Sequence, residues 1–387
     1  MSKEKQTTLP MRSPRPWHGM TPRIWFGLLA ANRFAISPTR IPMALAISIF
    51  TWIDLALAWL SEAIYGRAAR KATLRHPPLF VLGHWRTGTT LLHELLVQDK
   101  RFIYPTTFDC MAPTHFLLTA KFLGRWLGWL LPKKRPMDDM AVGFDRPQED
   151  EFALMNLGAD SPYIEWAFPN RGFHTNSLAM DLLAPERREH WKRCLDWFLR
   201  RQSLKDTSAR IVLKSPPHTA RVKTILELYP DALFVHIVRD PRVVIPSTVR
   251  TWKRMSDALS LQIRRDRPLE DHIFQMFELM YDRFEQDRAL IPDGQFHQLR
   301  YEDLVANPLS ELEAIYRELD LGDFETARPA VAKHLDGVKT YKTNKYELEA
   351  NLAVQIQDHC GDYMLRYGYA DPRPAEVVPA LLAKGTI

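Results

Sequence analysis

Between Gly83 and Thr90 the chain reads Gly-His-Trp-Arg-Thr-Gly-Thr-Thr, a glycine-bounded loop that runs into a segment of helical apolar spacing. The apolar run before it, Leu79 to Leu82, has the composition of a buried parallel strand. Strand, short loop and helix N-terminus together make an anion site. The first amides of a helix lack intrahelical acceptors, and the aligned peptide dipoles favour negative charge there. The spacing is that of the phosphate-cradling loop G-x-x-x-x-G-K-[ST], with one departure. Thr89 stands at the lysine position, and the nearest cation, Arg86, lies inside the loop. A loop that handles ATP sets its lysine on the β- and γ-phosphates and needs a carboxylate at a strand end for magnesium. Here the lysine is missing, and Asp240, the acid that follows an apolar run, sits between Arg239 and Pro241. A magnesium-dependent phosphotransferase is therefore disfavoured, and no metal site is expected.

Two more strand ends carry cations. Ile211-Val212-Leu213 reads as a strand ending in Lys214, and Ala232 to Val238 as one ending in Arg239, with Ser247 in the helix that follows. Thr219–Leu228 and Arg242–Lys253 read as helices, the second with Pro246 in its first turn or at a kink. Phe296–Arg300 is a further strand, followed by Tyr301-Glu302-Asp303-Leu304 and a helix from Pro308. Strands alternating with helices imply a parallel sheet with ligands at the carboxyl ends of its strands. Lys214 and Arg239 then project beside the glycine loop.

These blocks carry a resemblance. Gly83 to Leu92 resembles the 5′-phosphosulfate loop of sulfotransferases, and Val238-Arg239-Asp240-Pro241-Arg242 through Ser247 resembles their 3′-phosphate motif. Leu213-Lys214-Ser215-Pro216 and Tyr301-Glu302-Asp303-Leu304 are similar to two further blocks of the tyrosylprotein-type and related bacterial branch. The resemblance implies a three-layer α/β fold of the P-loop type, a central parallel sheet flanked by helices. It also implies the donor 3′-phosphoadenylyl sulfate (PAPS) and transfer of its sulfuryl group, without metal, to an acceptor hydroxyl or amine, of which a hydroxyl is the expectation here. Arg86, Thr87, Gly88, Thr89 and Thr90 would hold the 5′-phosphosulfate, and Arg239 and Ser247 the 3′-phosphate. Lys214 would neutralise charge near the bridging oxygen. Lys342, within a lysine-rich stretch at 339–346, would fold over the nucleotide. The rival readings are a P-loop kinase or nucleotide hydrolase, and a non-catalytic anion-binding protein at a membrane surface.

The acceptor's proton needs a base within hydrogen-bond reach. The tyrosylprotein branch keeps a glutamate shortly after its loop helix, where this chain has Pro105-Thr106-Thr107-Phe108 and only Asp109 nearby. That role does not carry over. Glu149, Asp150 and Glu151, at the start of an apolar helix near Phe152, are the candidates, and each is equally readable as a helix-start carboxylate held by the dipole.

With 387 residues, 46% hydrophobic and 25% charged, the chain can bury one large core plus an appendage. A net charge of +6 suits an anionic ligand or an anionic membrane surface, and no nucleic-acid motif accompanies it. Three scattered cysteines fit a reducing compartment, and residues 1–17 lack the apolar core of a secretory signal. A cytoplasmic location, with a peripheral position at the inner face of a membrane, is the expectation. Residues 1–20 are read as mobile, 21–75 as a helical, membrane-peripheral appendage, 76–370 as the sulfotransferase domain and 371–387 as a tail. Within the appendage, Met43 to Ile53 is nearly all apolar until Asp54 interrupts it. That leaves a spanning helix, a helix packed on the core and an interfacial helix as the choices. Phe116 to Arg135, closed by Lys133, Lys134 and Arg135, offers the same choice between packing and interface. The acceptor, a small molecule or a lipid, and the oligomeric state are not readable from the sequence.

Overall fold

A computed structural model describes residues 13–126, 143–265, 267–338 and 349–370. Lys342 and the lysine-rich stretch, Lys133 to Arg135 and the tail 371–387 lie outside the described residues.

Helices α1 (Pro22–Ala31) and α2 (Ile41–Lys71) lead into β1 (Leu79–Leu82) and α3 (Thr89–Leu96). Then come β2 (Phe102–Ile103), the short helices α4 (Thr107–Met111), α5 (Phe116–Trp126) and α6 (Glu151–Asn156), and the long α7 (Pro185–Ser203). The second half alternates more regularly. It runs through β3 (Arg210–Lys214), α8 (Val222–Leu228), β4 (Leu233–Val238), α9 (Pro241–Leu259), α10 (Glu270–Arg288) and β5 (Phe296–Arg300). Helices α11 (Tyr301–Ala306), α12 (Pro308–Glu318), α13 (Arg328–Val338) and α14 (Ala350–Arg366) follow.

The five strands form one parallel sheet in the order β2-β3-β1-β4-β5. Both faces are covered, as a parallel sheet requires. Phe80, Leu82, Leu213 and Phe234 join the core on one side; Leu79, Val81, Val212 and Val235 join the core on the other. This is the expected three-layer α/β architecture. From β1 the chain goes toward one edge and then returns past β1 to β4, so β1 is where the strand order reverses. Ligands in such sheets bind outside the carboxyl ends at that point. Register sets Val81 opposite Lys214 and Leu82 opposite His236, which brings the loops after β1, β3 and β4 to one edge.

Three expectations need correction. The mobile N-terminus does not extend to residue 20: Arg15, Trp17 and Met20 are buried, and Trp17 Nε1 donates to Leu259 O at 3.0 Å. There the indole buries a large apolar area and keeps its one N–H satisfied. Nor is 21–75 a separate appendage, because Trp25, Leu29, Met43, Ala44 and Ile47 belong to the same core cluster as Phe80 and Phe234. Finally, Pro246 lies inside a helix longer than expected, and α9 begins at Pro241, where proline's fixed φ and missing N–H suit a first position.

Candidate active site

Gly83 and Gly88 fix the path of the loop after β1. Both have positive φ, +145° and +103°. A Cβ on Gly88 would lie 2.3 Å from the Tyr301 ring, and one on Gly83 would lie 2.6 Å from Ile237 O. Only glycine passes between these neighbours. Thr219 Oγ1 accepts from Gly83 N at 2.8 Å and anchors the start of the loop. Thr87 is fully buried and donates through Oγ1 to His84 O at 2.7 Å, while its amide donates to the same carbonyl at 3.2 Å. Thr87 therefore braces the turn from inside, which corrects its assignment as an anion-facing residue. Thr89 is buried in the first turn of α3, and Thr90 is half-buried. The amides of that turn face the sheet edge with no carbonyl of their own helix to receive them.

Arg86 sits within the loop at φ +70°, a conformation that costs a side chain about 1–2 kcal/mol. Its neighbours lock it there. Arg86 Nε donates to Ser247 Oγ at 2.9 Å, and the Arg86 carbonyl accepts from Arg239 Nη1 at 3.1 Å. The Arg239 guanidinium also lies 3.9 Å over the Tyr301 ring, and its amide donates to the Tyr363 hydroxyl at 3.2 Å. Sequence positions 86, 239 and 247 thus form one interlocked unit at the ends of β1 and β4. Tyr301 serves two neighbours at once: it carries Arg239 and leaves room for Gly88 alone. Asp240, the rival magnesium ligand, caps α9 by accepting from Arg242 N at 2.9 Å and pairs with the Arg242 guanidinium at 2.8 Å.

The three candidate carboxylates part company. Lys214, almost wholly buried at the end of β3, donates to Glu149 Oε1 at 2.6 Å. The Tyr163 hydroxyl donates to Glu149 Oε2 and accepts from Trp85 Nε1 at 2.8 Å. Burial pushes the Tyr163 hydroxyl well above its usual pKa, and the Glu149 charge adds to this, so it remains a donor. Trp85 belongs to the anion loop, so this chain of hydrogen bonds ties the carboxylate to the loop. Asp150 and Glu151 are both fully buried and paired away from the sheet edge. Asp150 accepts from Ser215 Oγ at 2.7 Å and pairs with His218 Nε2 at 2.7 Å. Burial would raise its carboxyl, but the His218 charge and these hydrogen bonds outweigh that and hold it low. Glu151 is held bidentately by buried Arg221, at 2.6 and 3.1 Å. Only Glu149 reaches toward the sheet edge, with 17% of its side chain exposed. Asp109 belongs to a capping box with Thr106 and pairs with Lys205 at 2.7 Å.

Residues 77–325 match the family model described as "Sulfotransferase family". Over 368 residues the chain is 38% identical to omega-hydroxy-beta-dihydromenaquinone-9 sulfotransferase Stf3 of Mycobacterium bovis, covering 94% of each chain. It belongs to the sulfotransferase family. The protein of the same name from Mycobacterium tuberculosis matches to the same extent. Among solved structures, the sulfotransferase STF1 from Mycobacterium tuberculosis superposes with a TM-score of 0.63 at 20% identity, over 87% of this chain and 91% of that one. STF9 from Mycobacterium avium superposes at 0.58 and 18% identity, over 90% and 96%. At such identities these two speak for the fold. The chain is an enzyme that transfers a sulfuryl group, and all the site residues described above except Tyr363 lie within the matched span. Trp85 and Tyr163 were not singled out by spacing. The signal for Trp85 was an indole inside an anion loop; Tyr163 carried none.

Proposed function

We propose that this sulfotransferase takes PAPS as donor and an apolar, lipid-type molecule bearing a hydroxyl as acceptor, with Glu149 as the base. The Lys214–Glu149 pair at the sheet edge carries this reading. It sets a carboxylate able to take a proton beside a cation able to meet developing negative charge, next to the anion loop. Support for the acceptor class comes from the relative named for a hydroxylated menaquinone derivative.

The loop suits the donor's charges. The amides at the start of α3 and the Arg86 guanidinium would hold the 5′-phosphosulfate, and Ser247 with Arg239, carried on the Tyr301 ring, would hold the 3′-phosphate. In the transfer, the acceptor oxygen forms a bond to sulfur as the bond from sulfur to the bridging phosphate oxygen breaks. The electron pair of that bond leaves with the adenosine 3′,5′-bisphosphate. Glu149 takes the hydroxyl proton, and Lys214, with three N–H donors, neutralises the departing oxygen. Fixed cations and amides supply what a metal would otherwise supply.

Incubation with ³⁵S-labelled donor and a cell extract, separated into lipid, glycan and protein fractions, tests the reading. Label in the lipid fraction, lost with Lys214→Ala and Arg86→Ala in folded protein, is the expected result. Label confined to glycan or protein would refute the acceptor class. Tight binding of the desulfated donor with no transfer to any hydroxyl would favour a non-catalytic binder.

A further inference from the structure

Helix α2 is built inside out. Every exposed residue between positions 41 and 60 is apolar, and Leu45, Ile49, Trp52 and Trp59 are each 59–71% exposed. The polar residues of the same stretch turn toward the protein. Ser48 Oγ accepts from Trp25 Nε1 at 2.8 Å, Thr51 is fully buried, and Asp54 pairs at 3.0 Å with His115, in the turn just before α5. A surface helix in water shows the opposite arrangement. The uncharged face extends for 20 residues, about 30 Å of helix. Exposed apolar patches of that size mark an interaction surface.

Charge decides the occupant. Exposed Arg33 precedes the apolar stretch; exposed Arg67, Arg70 and Lys71 follow it, with Glu62, the one exposed acid there, paired to Arg70 and Arg201. Phe122 of α5, which packs on α2, is 71% exposed beside exposed Lys121. We propose that the outer face of α2 lies flat in the interface of an anionic lipid bilayer, with its indoles at headgroup depth and its terminal cations on lipid phosphates. The helix is long and apolar enough to cross a membrane by length and composition. It is held against the protein from end to end, however, through buried Met43, Ile47, Thr51, Ser61, Gly66 and Ala69. A helix fixed along one flank to a soluble core cannot be threaded through a bilayer, whereas it can lie on one. A second copy of the chain fits less well. Antiparallel pairing of α2 with itself would set the Arg33 end of one helix against the Arg67–Lys71 end of the other. The proposal rests on this surface and not on the transfer reaction, and it would bring the site to a bilayer-held acceptor.

The test is co-sedimentation of the full chain with vesicles of phosphatidylcholine, with and without phosphatidylglycerol. Binding is expected to be at least about tenfold stronger to the anionic vesicles and to weaken with salt. Ile49→Glu with Trp59→Glu should lower it by a further factor of about ten. Arg67→Glu with Lys71→Glu, both on the exposed side of the helix end, should lower the anionic preference by about fivefold for each cation, which keeps the test sharp if the first pair misfolds. Absent pelleting, or pelleting indifferent to both pairs, overturns the proposal. So does resistance of the bound protein to alkaline carbonate extraction, which would indicate a spanning helix. A dimer in light scattering that Ile49→Glu with Trp59→Glu dissociates would assign the face to a second copy and overturn it too. Turnover of detergent-dispersed acceptor is unaffected by these outcomes and reports on the reaction separately.

Discussion

Lys214 Nζ stands 2.6 Å from Glu149 Oε1, although 65 residues separate them. Strand β3 ends at one and helix α6 begins just after the other, so the sheet edge and the helix start meet at an acid–cation pair. Glu149→Gln keeps the shape and the contact with Tyr163 but removes the proton acceptor. Transfer is expected to fall about 10²–10⁴-fold in kcat while the desulfated donor binds within a few-fold of normal, measured by labelled transfer and calorimetry. Retained transfer would remove Glu149 from the base role.

Tyr163 is expected to act through Glu149. Tyr163→Phe removes the donor to Oε2 and the acceptor for Trp85 Nε1. Here kcat should fall while the desulfated donor binds within a few-fold of normal, because the hydroxyl that orients Glu149 and joins it to Trp85 is gone. A lowered melting temperature with kcat unchanged would make Tyr163 merely structural.

Glu151 and Asp150 should report on stability. Glu151→Ala leaves the Arg221 guanidinium buried and unpaired, at a cost of about 3–5 kcal/mol in urea unfolding. Asp150→Ala, which strands His218 and Ser215, should be destabilising in the same sense. Neither should shift the acidic limb of the rate profile.

Gly88→Ala should weaken donor binding more than it weakens folding. The added Cβ would press on Tyr301, which carries Arg239. Calorimetry with adenosine 3′,5′-bisphosphate is expected to show affinity lowered at least about tenfold, as for the loss of a charge-assisted contact. Unchanged affinity would separate Arg239 from the 3′-phosphate site.

Acid should unfold the protein earlier than its carboxylates alone would. Burial pulls the imidazoles of His18 and His84 down to about 4 and that of His236 to about 3. The unfolded chain protonates these groups near pH 6.5 and the folded chain does not. Their contribution is thus complete above pH 6.5 and is lost as pH falls toward 4, and toward 3 for His236. Each costs up to about 1.4 kcal/mol per pH unit across that window. Urea midpoints from pH 7 to 4 should fall steeply, and His236→Phe should flatten the curve.

The sequence alone determined the α/β order, the glycine-bounded loop, the cations at three strand ends and the family. Those features are local: apolar runs make strands, and the chemistry follows each strand's last residue. It also exposed the apolar composition of α2, though not which way that helix faces. Tertiary structure alone gave Glu149, Asp150 and Glu151 their different partners, since three adjacent carboxylates look alike until β3, His218 and Arg221 are folded against them. It likewise turned Thr87 inward and joined Tyr163 to Trp85 across 78 residues. Burial and pairing are properties of the packed chain. No spacing in the sequence records which neighbour will neutralise a charge.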